Sequence, residues 1–365
     1  MNALLYQPIF LAITGTASAV TAFRYVGSSG FRYQMQQHSL LLPFVLSLFF
    51  VFWLGARPIS GIVFGDTYNY AVSYAGLDSS VHVAVDWHGE WIWGWLMVAC
   101  KRLGLSVHAW FTIIEAGYIL SVLWAVKRFT PTNPMLGMLF VFTSLMFFSF
   151  ATNGLRNGLA CHILLLAMSY FFDDRYVVCG VLCLVAFGIH RSVMLPIAGM
   201  VAGRYVLKDM KYAIVFWLIS IVVSLVAGGA VTAFLGSLGF DERMSSYNTD
   251  NYVSQFNRTG FRWDFLLYSA VPIVLGGYVC LKKRIKDEWF RTLCVTYCLS
   301  NAFWVIVIRA AYSNRFAYLS WFMYPIIIAY PLINLPVWKD QDRRTAIILA
   351  AYCGFTLFMQ IFYWI

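Results

Sequence analysis

This sequence predicts an all-α polytopic membrane protein, and three observations carry that prediction. Apolar residues make up 61% of the 365 and charged residues only 12%, too few charges to coat a soluble fold of this size. Apolar runs recur along the whole chain, each near the ~20 residues that span about 30 Å of hydrocarbon. The basic residues between the runs are unequally divided, as the positive-inside rule expects of membrane helices.

Taken in order, the runs give about twelve spans. The first, 4–23, follows no basic segment and precedes no clean small-residue cleavage site, so it reads as a retained helix and not a signal peptide. The others fall at 39–56, 108–126, 134–151, 155–172, 176–189, 192–204, 212–235, 264–281, 289–308, 316–335 and 345–363. The sixth and seventh are short, which fits either tilted helices or a broken pair around His190. The stretch Trp91–Cys100 is too short to cross. It reads as an interfacial helix, with Trp91, Trp93 and Trp95 anchoring it among head groups. The expected organisation is a single transmembrane domain, 1–365, with two large external loops. One is 57–107, carrying interfacial helices, and the other is 236–263.

The loops 24–38, 127–133, 173–175, 204–211, 282–291 and 339–344 hold sixteen of the 26 Lys and Arg residues, including the KKRIK run at 282–286. Placing them in the cytoplasm puts both termini outside. The net charge of +10 is carried in short loops with no basic tail or RNA-binding motif. Anionic lipid head groups are therefore the expected partner and nucleic acid is not. Cys179 and Cys183, and Cys294 and Cys298, are spaced as packing residues on helix faces, not as zinc ligands. No P-loop, HExxH or GxSxG motif occurs, so neither a metal nor a cofactor is expected.

The opposite face carries the other ten basic residues, and nine of them are arginines: Arg57, Arg102, Arg156, Arg191, Arg243, Arg258, Arg262, Arg309 and Arg315, together with Lys101. Arginine where charge should be scarce points to phosphate, which its planar fork holds bidentately. A lipid-linked diphosphate is the anion expected there.

Four constellations could serve it. In the first loop, Arg57 precedes Asp66, Tyr68 and Tyr70. A carboxylate beside aromatic rings suits a sugar, though Asp66 also reads as the cap of a helix starting at Thr67. Asp86, His88 and Glu90 cluster farther on, where a solvated polar face explains them equally well. In ATNGLRNGLA, Arg156 lies just inside an apolar boundary, flanked by Asn153, Asn157, Gly154 and Gly158. It reads either as facing a cavity or as snorkelling to the interface. In FGIHRSV, His190 and Arg191 return to the same membrane face as Arg156 across a helical hairpin. A histidine there could take a proton from a hydroxyl, or could simply bond backbone. Near the end, Arg309 and Arg315 bracket a turn containing Tyr312. The second loop adds Arg258 and Arg262 among aromatic residues, a pattern suited to glycan. Glu115, inside the third span, reads as the partner of an external arginine or as part of a proton path.

The segments FGDTYNY, GLRNGLA, FGIHRSV and SNRFAYLSWF, in that order, resemble the EpsG family of polysaccharide polymerases, within the wider Wzy-type group of O-antigen and exopolysaccharide polymerases. The matching positions are Arg57, Gly65, Asp66 and Tyr70; then Arg156, Leu159 and Ala160; then His190 and Ser192; then Ser313 and Arg315. Asn157 stands where the family more often has Gln. The resemblance implies a GT-C-like fold in a bacterial inner membrane, with its active face periplasmic. It implies a glycosyltransferase that moves a glycan chain from polyprenyl diphosphate onto another polyprenyl-diphosphate-linked repeat unit, as in lipopolysaccharide or exopolysaccharide synthesis. Donor and acceptor oligosaccharides are then the partners, with a chain-length regulator protein as a further partner class. The expected roles are catalytic for His190, Asp66 and Arg156. Diphosphate falls to Arg57, Arg156, Arg191, Arg309 and Arg315, and glycan to Tyr68, Tyr70, Arg258 and Arg262. A GT-C enzyme using a polyprenyl-phosphate sugar, a glycan ligase and a lipid-linked glycan flippase are the competing readings.

Overall fold

The computed structural model describes residues 2–27, 39–237, 260–310 and 313–363, and among them it contains helices and turns but no strand. Among the described residues seven helices are long and apolar enough to cross a membrane: Ala3–Val26, Val107–Phe129, Leu155–Phe172, Met210–Val231, Trp263–Lys282, Asn314–Asn334 and Gln341–Phe362. The chain is thus a multi-pass membrane protein. Of the other runs counted as spans in the sequence, 289–308 forms the 19-residue helix Glu288–Ile306, and the rest form shorter pieces. The run at 134–151 breaks at Thr143–Ser144 into Pro134–Phe142 and Phe147–Thr152. Leu41–Gly55 has 15 residues, Tyr176–Ile189 has 14 and Met194–Tyr205 has 12. Hydropathy registers apolar length but not the turns inside it, and twelve full-length spans are not seen among the described residues.

The chain groups into two compact units, 1–193 with 328–365, and 194–327. The first unit contains α1 (Tyr6–Gly27), α2 (Leu41–Gly55), α3 (Gly61–Phe64), α4 (Thr67–Gly76), α5 (Trp91–Arg102), α6 (Val107–Phe129), α7 (Pro134–Phe142), α8 (Phe147–Thr152), α9 (Leu155–Phe172) and α10 (Tyr176–Ile189). Its last helix is Gln341–Phe358, which packs along α1. Helix α6 packs against both α2 and α9, and α9 pairs with α10. At the basic end Arg128 ties α6 to the end of α9. It donates to Ser169 Oγ at 2.8 Å and Asp173 Oδ2 at 3.0 Å, with its guanidinium over the Tyr170 ring.

Helices α3, α4 and α5 lie within residues 57–107. The role of the tryptophans in α5 differs from the expectation. Trp91 and Trp93 are buried in protein, and only Trp95 is exposed, at 42%. Trp93 packs between Tyr70 and Trp110, so α5 is held by its neighbours and not by head groups alone. Lys101 donates to the carbonyls of Tyr74 and Ala75, and Arg102 to those of Ser79 and Val81. These two cations close the C-terminal end of α4 and the strap after it. The sequence had counted both toward the anion-binding face.

The second unit is built from Met194–Tyr205, Met210–Ser237, Trp263–Gly277, Glu288–Ile306 and Asn314–Trp321. Several of the polar side chains inside it are linked to one another or to backbone, as low-dielectric surroundings favour, whereas Ser300 Oγ and Trp304 Nε1 have no partner among the described residues. Trp217 Nε1 donates to Asn301 Oδ1 at 2.7 Å, and Asn301 Nδ2 to Ser320 Oγ at 3.0 Å. Trp321 Nε1 and the Tyr297 hydroxyl both reach Ser269, at its Oγ and its carbonyl.

Candidate active site

Three sequence segments meet in the first unit, and Glu90 joins them. Its Oε2 accepts a bond from Arg156 Nη1, and its Oε1 lies 2.6 Å from His190 Nδ1. The three side chains are about one-fifth exposed, at 22%, 20% and 18% for Glu90, Arg156 and His190. They are therefore held in place by protein yet reachable by a ligand.

Each is placed by local structure. Arg156 stands in the first turn of α9, after Gly154 at the N-cap position. Glu90 holds the N-cap position of α5, and His190 follows the last turn of α10. The last turn of α10 and the first turn of α5 approach so closely that a Cβ on Gly188 would lie 2.6 Å from Ile92 Cγ1. Glycine at that point lets the two helices meet and sets Glu90 beside His190.

Arg156 is further oriented by Tyr70. Its Nε donates to the Tyr70 hydroxyl at 3.1 Å, and its guanidinium lies 5.5 Å from that ring's centroid. Among the described residues Nη2 bonds to nothing, leaving part of the fork for an anion. Arg191 donates through Nη1 to the His88 carbonyl, while its buried Nε has no partner among the described residues.

Helix α4 is fixed from behind. The Asp66 backbone N–H donates to Asn153 Oδ1 at 2.9 Å, and the Thr67 hydroxyl donates to the Thr152 carbonyl. Asp66 occupies the N-cap position of α4 without a side-chain cap bond; its Oδ1 accepts from Asn69 at 3.2 Å. Gly65 turns the chain into α4 with φ at +53°, and a Cβ there would collide with the Asn153 amide. Both facts require glycine. Gly65→Ala is expected to destabilise the protein by about 1–3 kcal/mol and to lower activity, read as a melting shift in detergent together with product yield.

Arg57 departs from its expected role. It is fully buried, donating to Glu115 Oε1 at 2.9 Å, to the Leu54 carbonyl at 2.7 Å and to Thr67 Oγ1 at 3.2 Å, with Phe111 under its guanidinium. A side chain with no exposed surface cannot take up a diphosphate. The structure makes it the counter-ion of Glu115, one of the two readings the sequence had left open for that acid. Asn157 is also turned inward, where its Oδ1 accepts from Cys161 Sγ at 2.9 Å.

The other expected residues lie as follows. Tyr68 is exposed at 53%, while Tyr70 serves as the shelf for Arg156. Arg262, in the second unit, forms a two-bond pair with Asp264 at 3.0 and 2.6 Å and lies over Phe265. Arg309, also in that unit, is exposed with its guanidinium 5.9 Å from the Phe261 ring centroid, and Arg315 is part-buried. Arg258, Arg243 and Tyr312 lie outside the described residues. Among the described residues no three His, Cys, Asp or Glu side chains gather closely enough to hold a metal ion. Glu90 is the residue whose importance sequence reasoning missed.

No curated protein and no solved structure matches the chain. The family model for EpsG, a family associated with exopolysaccharide synthesis, matches residues 40–365. That range takes in Gly65, Asp66, Tyr70, Glu90, Arg156 and His190. The match covers most of the sequence, and the chain belongs to the EpsG family.

Proposed function

We propose that this protein is a polysaccharide polymerase that transfers a glycan chain from polyprenyl diphosphate onto a second polyprenyl-diphosphate-linked repeat unit at the external face of the membrane. The observation that carries the reading is Glu90 bridging Arg156 and His190. An ionised carboxylate only accepts hydrogen bonds, so His190 Nδ1–H donates to it and the lone pair is left on Nε2. That nitrogen is the proposed base.

In the proposed step, the acceptor hydroxyl oxygen attacks the anomeric carbon of the donor. The bond from that carbon to the diphosphate oxygen breaks, and its electron pair leaves on the diphosphate. The hydroxyl proton passes to His190. Arg156, held by Tyr70 and Glu90, faces the charge that grows on the leaving group, which is electrostatic stabilisation by a preorganised donor. Arg191 is proposed as a further diphosphate ligand, and exposed Tyr68 as a sugar platform. Asp66 is assigned the entry to α4. The dyad geometry at His190 favours the histidine over Asp66 as the base.

The test is protein reconstituted in lipid and supplied with its host's lipid-linked oligosaccharide. The expected result is a gel ladder spaced by one repeat unit, with polyprenyl diphosphate released. Addition of a single sugar from a polyprenyl-phosphate donor would replace this reading with the monosaccharide transferase. Movement of lipid-linked glycan across the bilayer without any new glycosidic bond would replace it with the flippase.

A further inference from the structure

The basic end of the second unit contains a cavity of about 430 Å³ that the proposed chemistry does not use. It forms because the helix Trp263–Gly277 widens into a π-turn at Tyr278–Lys282 and the chain then folds back. Lys283 N–H bonds the Tyr278 carbonyl at 2.9 Å, and Ile285 N–H bonds that of Val279 at 3.2 Å. Arg284 takes φ +56°, a left-handed conformation uncommon for a residue with a side chain. This return brings Ile285 and Lys286 to a cavity that Lys208 and Met210 also line. A π-turn and a left-handed arginine side by side mark a held loop, and both features recur at functional sites.

The charges in the wall are not equivalent. Asp209 accepts from Lys211 N–H at 3.0 Å and pairs with its ammonium at 3.2 Å. Asp287 caps the helix Glu288–Ile306 by accepting from Phe290 N–H at 2.8 Å. Glu288 pairs with Arg204 at 2.7 Å, and Arg291 donates to the carbonyls of Gly203 and Leu207. Every acid therefore has a partner. Among the described residues Lys208 and Lys286 form neither an ion pair nor a hydrogen bond. Lys282, Lys283 and Arg284 add exposed positive charge at the same loop. The floor is apolar, from Met210, Leu281 and Ile285, and it lies where the candidate spans Met210–Val231 and Trp263–Lys282 end. Two uncommitted cations above an apolar floor at a span boundary match an anionic group joined to hydrocarbon.

We propose that this cavity binds the phosphate head group of an anionic phospholipid, with Lys208 and Lys286 as its ligands and the start of the acyl chains over Met210 and Leu281. The test uses the full-length protein in detergent with mixed phosphatidylglycerol and phosphatidylcholine, and counts retained lipid by native mass spectrometry. The wild type is expected to retain phosphatidylglycerol in preference to phosphatidylcholine. Lys208→Gln/Lys286→Gln is expected to weaken that retention by roughly thirtyfold, from about fivefold for each lysine near an anionic surface. Lys339→Gln, an exposed lysine outside this unit, should leave it unchanged, and equal melting temperatures would show that all the variants are folded. Equal retention by the wild type and the double variant, or no preference between the two lipids, overturns the proposal. Displacement of phosphatidylglycerol by millimolar inorganic phosphate, but not by chloride at matched ionic strength, would mark a free-phosphate site and overturn the lipid assignment.

Discussion

Arg156→Ala is expected to lower the rate of polymer formation by about 10²–10³-fold. In the proposed mechanism the guanidinium meets charge on the departing diphosphate, so its loss should appear in kcat more than in KM. Arg156→Lys is expected to recover little. Arg156 uses Nε on Tyr70 and Nη1 on Glu90 while leaving Nη2 for a ligand, and a single ammonium on a flexible stem cannot meet those three directions at once. Initial rates against substrate concentration, with both variants shown to be folded, check this. Full activity in the alanine protein would remove Arg156 from the mechanism.

Glu90 offers a sharper test of the same site. Glu90→Gln keeps the shape but removes the charge, and its amide can no longer fix which nitrogen of His190 carries the proton. The expected loss is about 10²–10⁴-fold, the range for general-base catalysis. Residues that act as one unit are not additive. The double variant Glu90→Gln/His190→Gln should therefore be no slower than the worse of the two single variants. Multiplicative losses would show that the carboxylate and the imidazole work separately.

The way Glu90 was missed shows what the sequence makes legible. Arg156 and His190 could be placed on one face because the hairpin α9–α10 joining them is short and its helices are strongly apolar. Glu90 lies 66 residues from Arg156 and 100 from His190. No periodicity connects them; the contact depends on Gly188 accepting Ile92. Read locally, Asp86, His88 and Glu90 look like a polar face, and for exposed Asp86 and His88 the structure agrees. Arg57 shows the converse. Its place beside Gly65 and Asp66 suggested a ligand-facing role, yet Glu115 was already in view as an acid inside an apolar run. A lone acid at that depth needs a cation, and that requirement was the available signal for the pair. Exposure is what sequence reasoning lacked: it could not show which of the ten cations expected on the external face had already been used by carbonyls and carboxylates.

The buried pair itself should give the largest stability effect in the protein. Arg57→Ala or Glu115→Ala alone is expected to destabilise it by about 3–5 kcal/mol, because each leaves an uncompensated charge in low dielectric. Both side chains are essentially unexposed, at 0% and 1%, so water cannot relieve the loss without disturbing α2 and α6. Removing both charges together, as Arg57→Met/Glu115→Leu, should restore most of the stability, since apolar groups of similar volume often replace a buried ion pair without penalty. Activity should not return with it. Arg57 Nε also holds Thr67 Oγ1 at 3.2 Å, and Thr67 in turn bonds the Thr152 carbonyl. Through Thr67 the arginine sets the start of α4, and so the Tyr70 hydroxyl on which Arg156 rests. Melting in detergent and ladder-forming rates separate the two roles. If the double variant melts near the wild type but stays slow, with Arg57→Lys/Glu115→Asp recovering part of the rate, the pair positions the site. If stability and rate recover together in the apolar double variant, the pair is a counter-ion arrangement only, and α4 is held by Gly65, Asn153 and Thr152 without it.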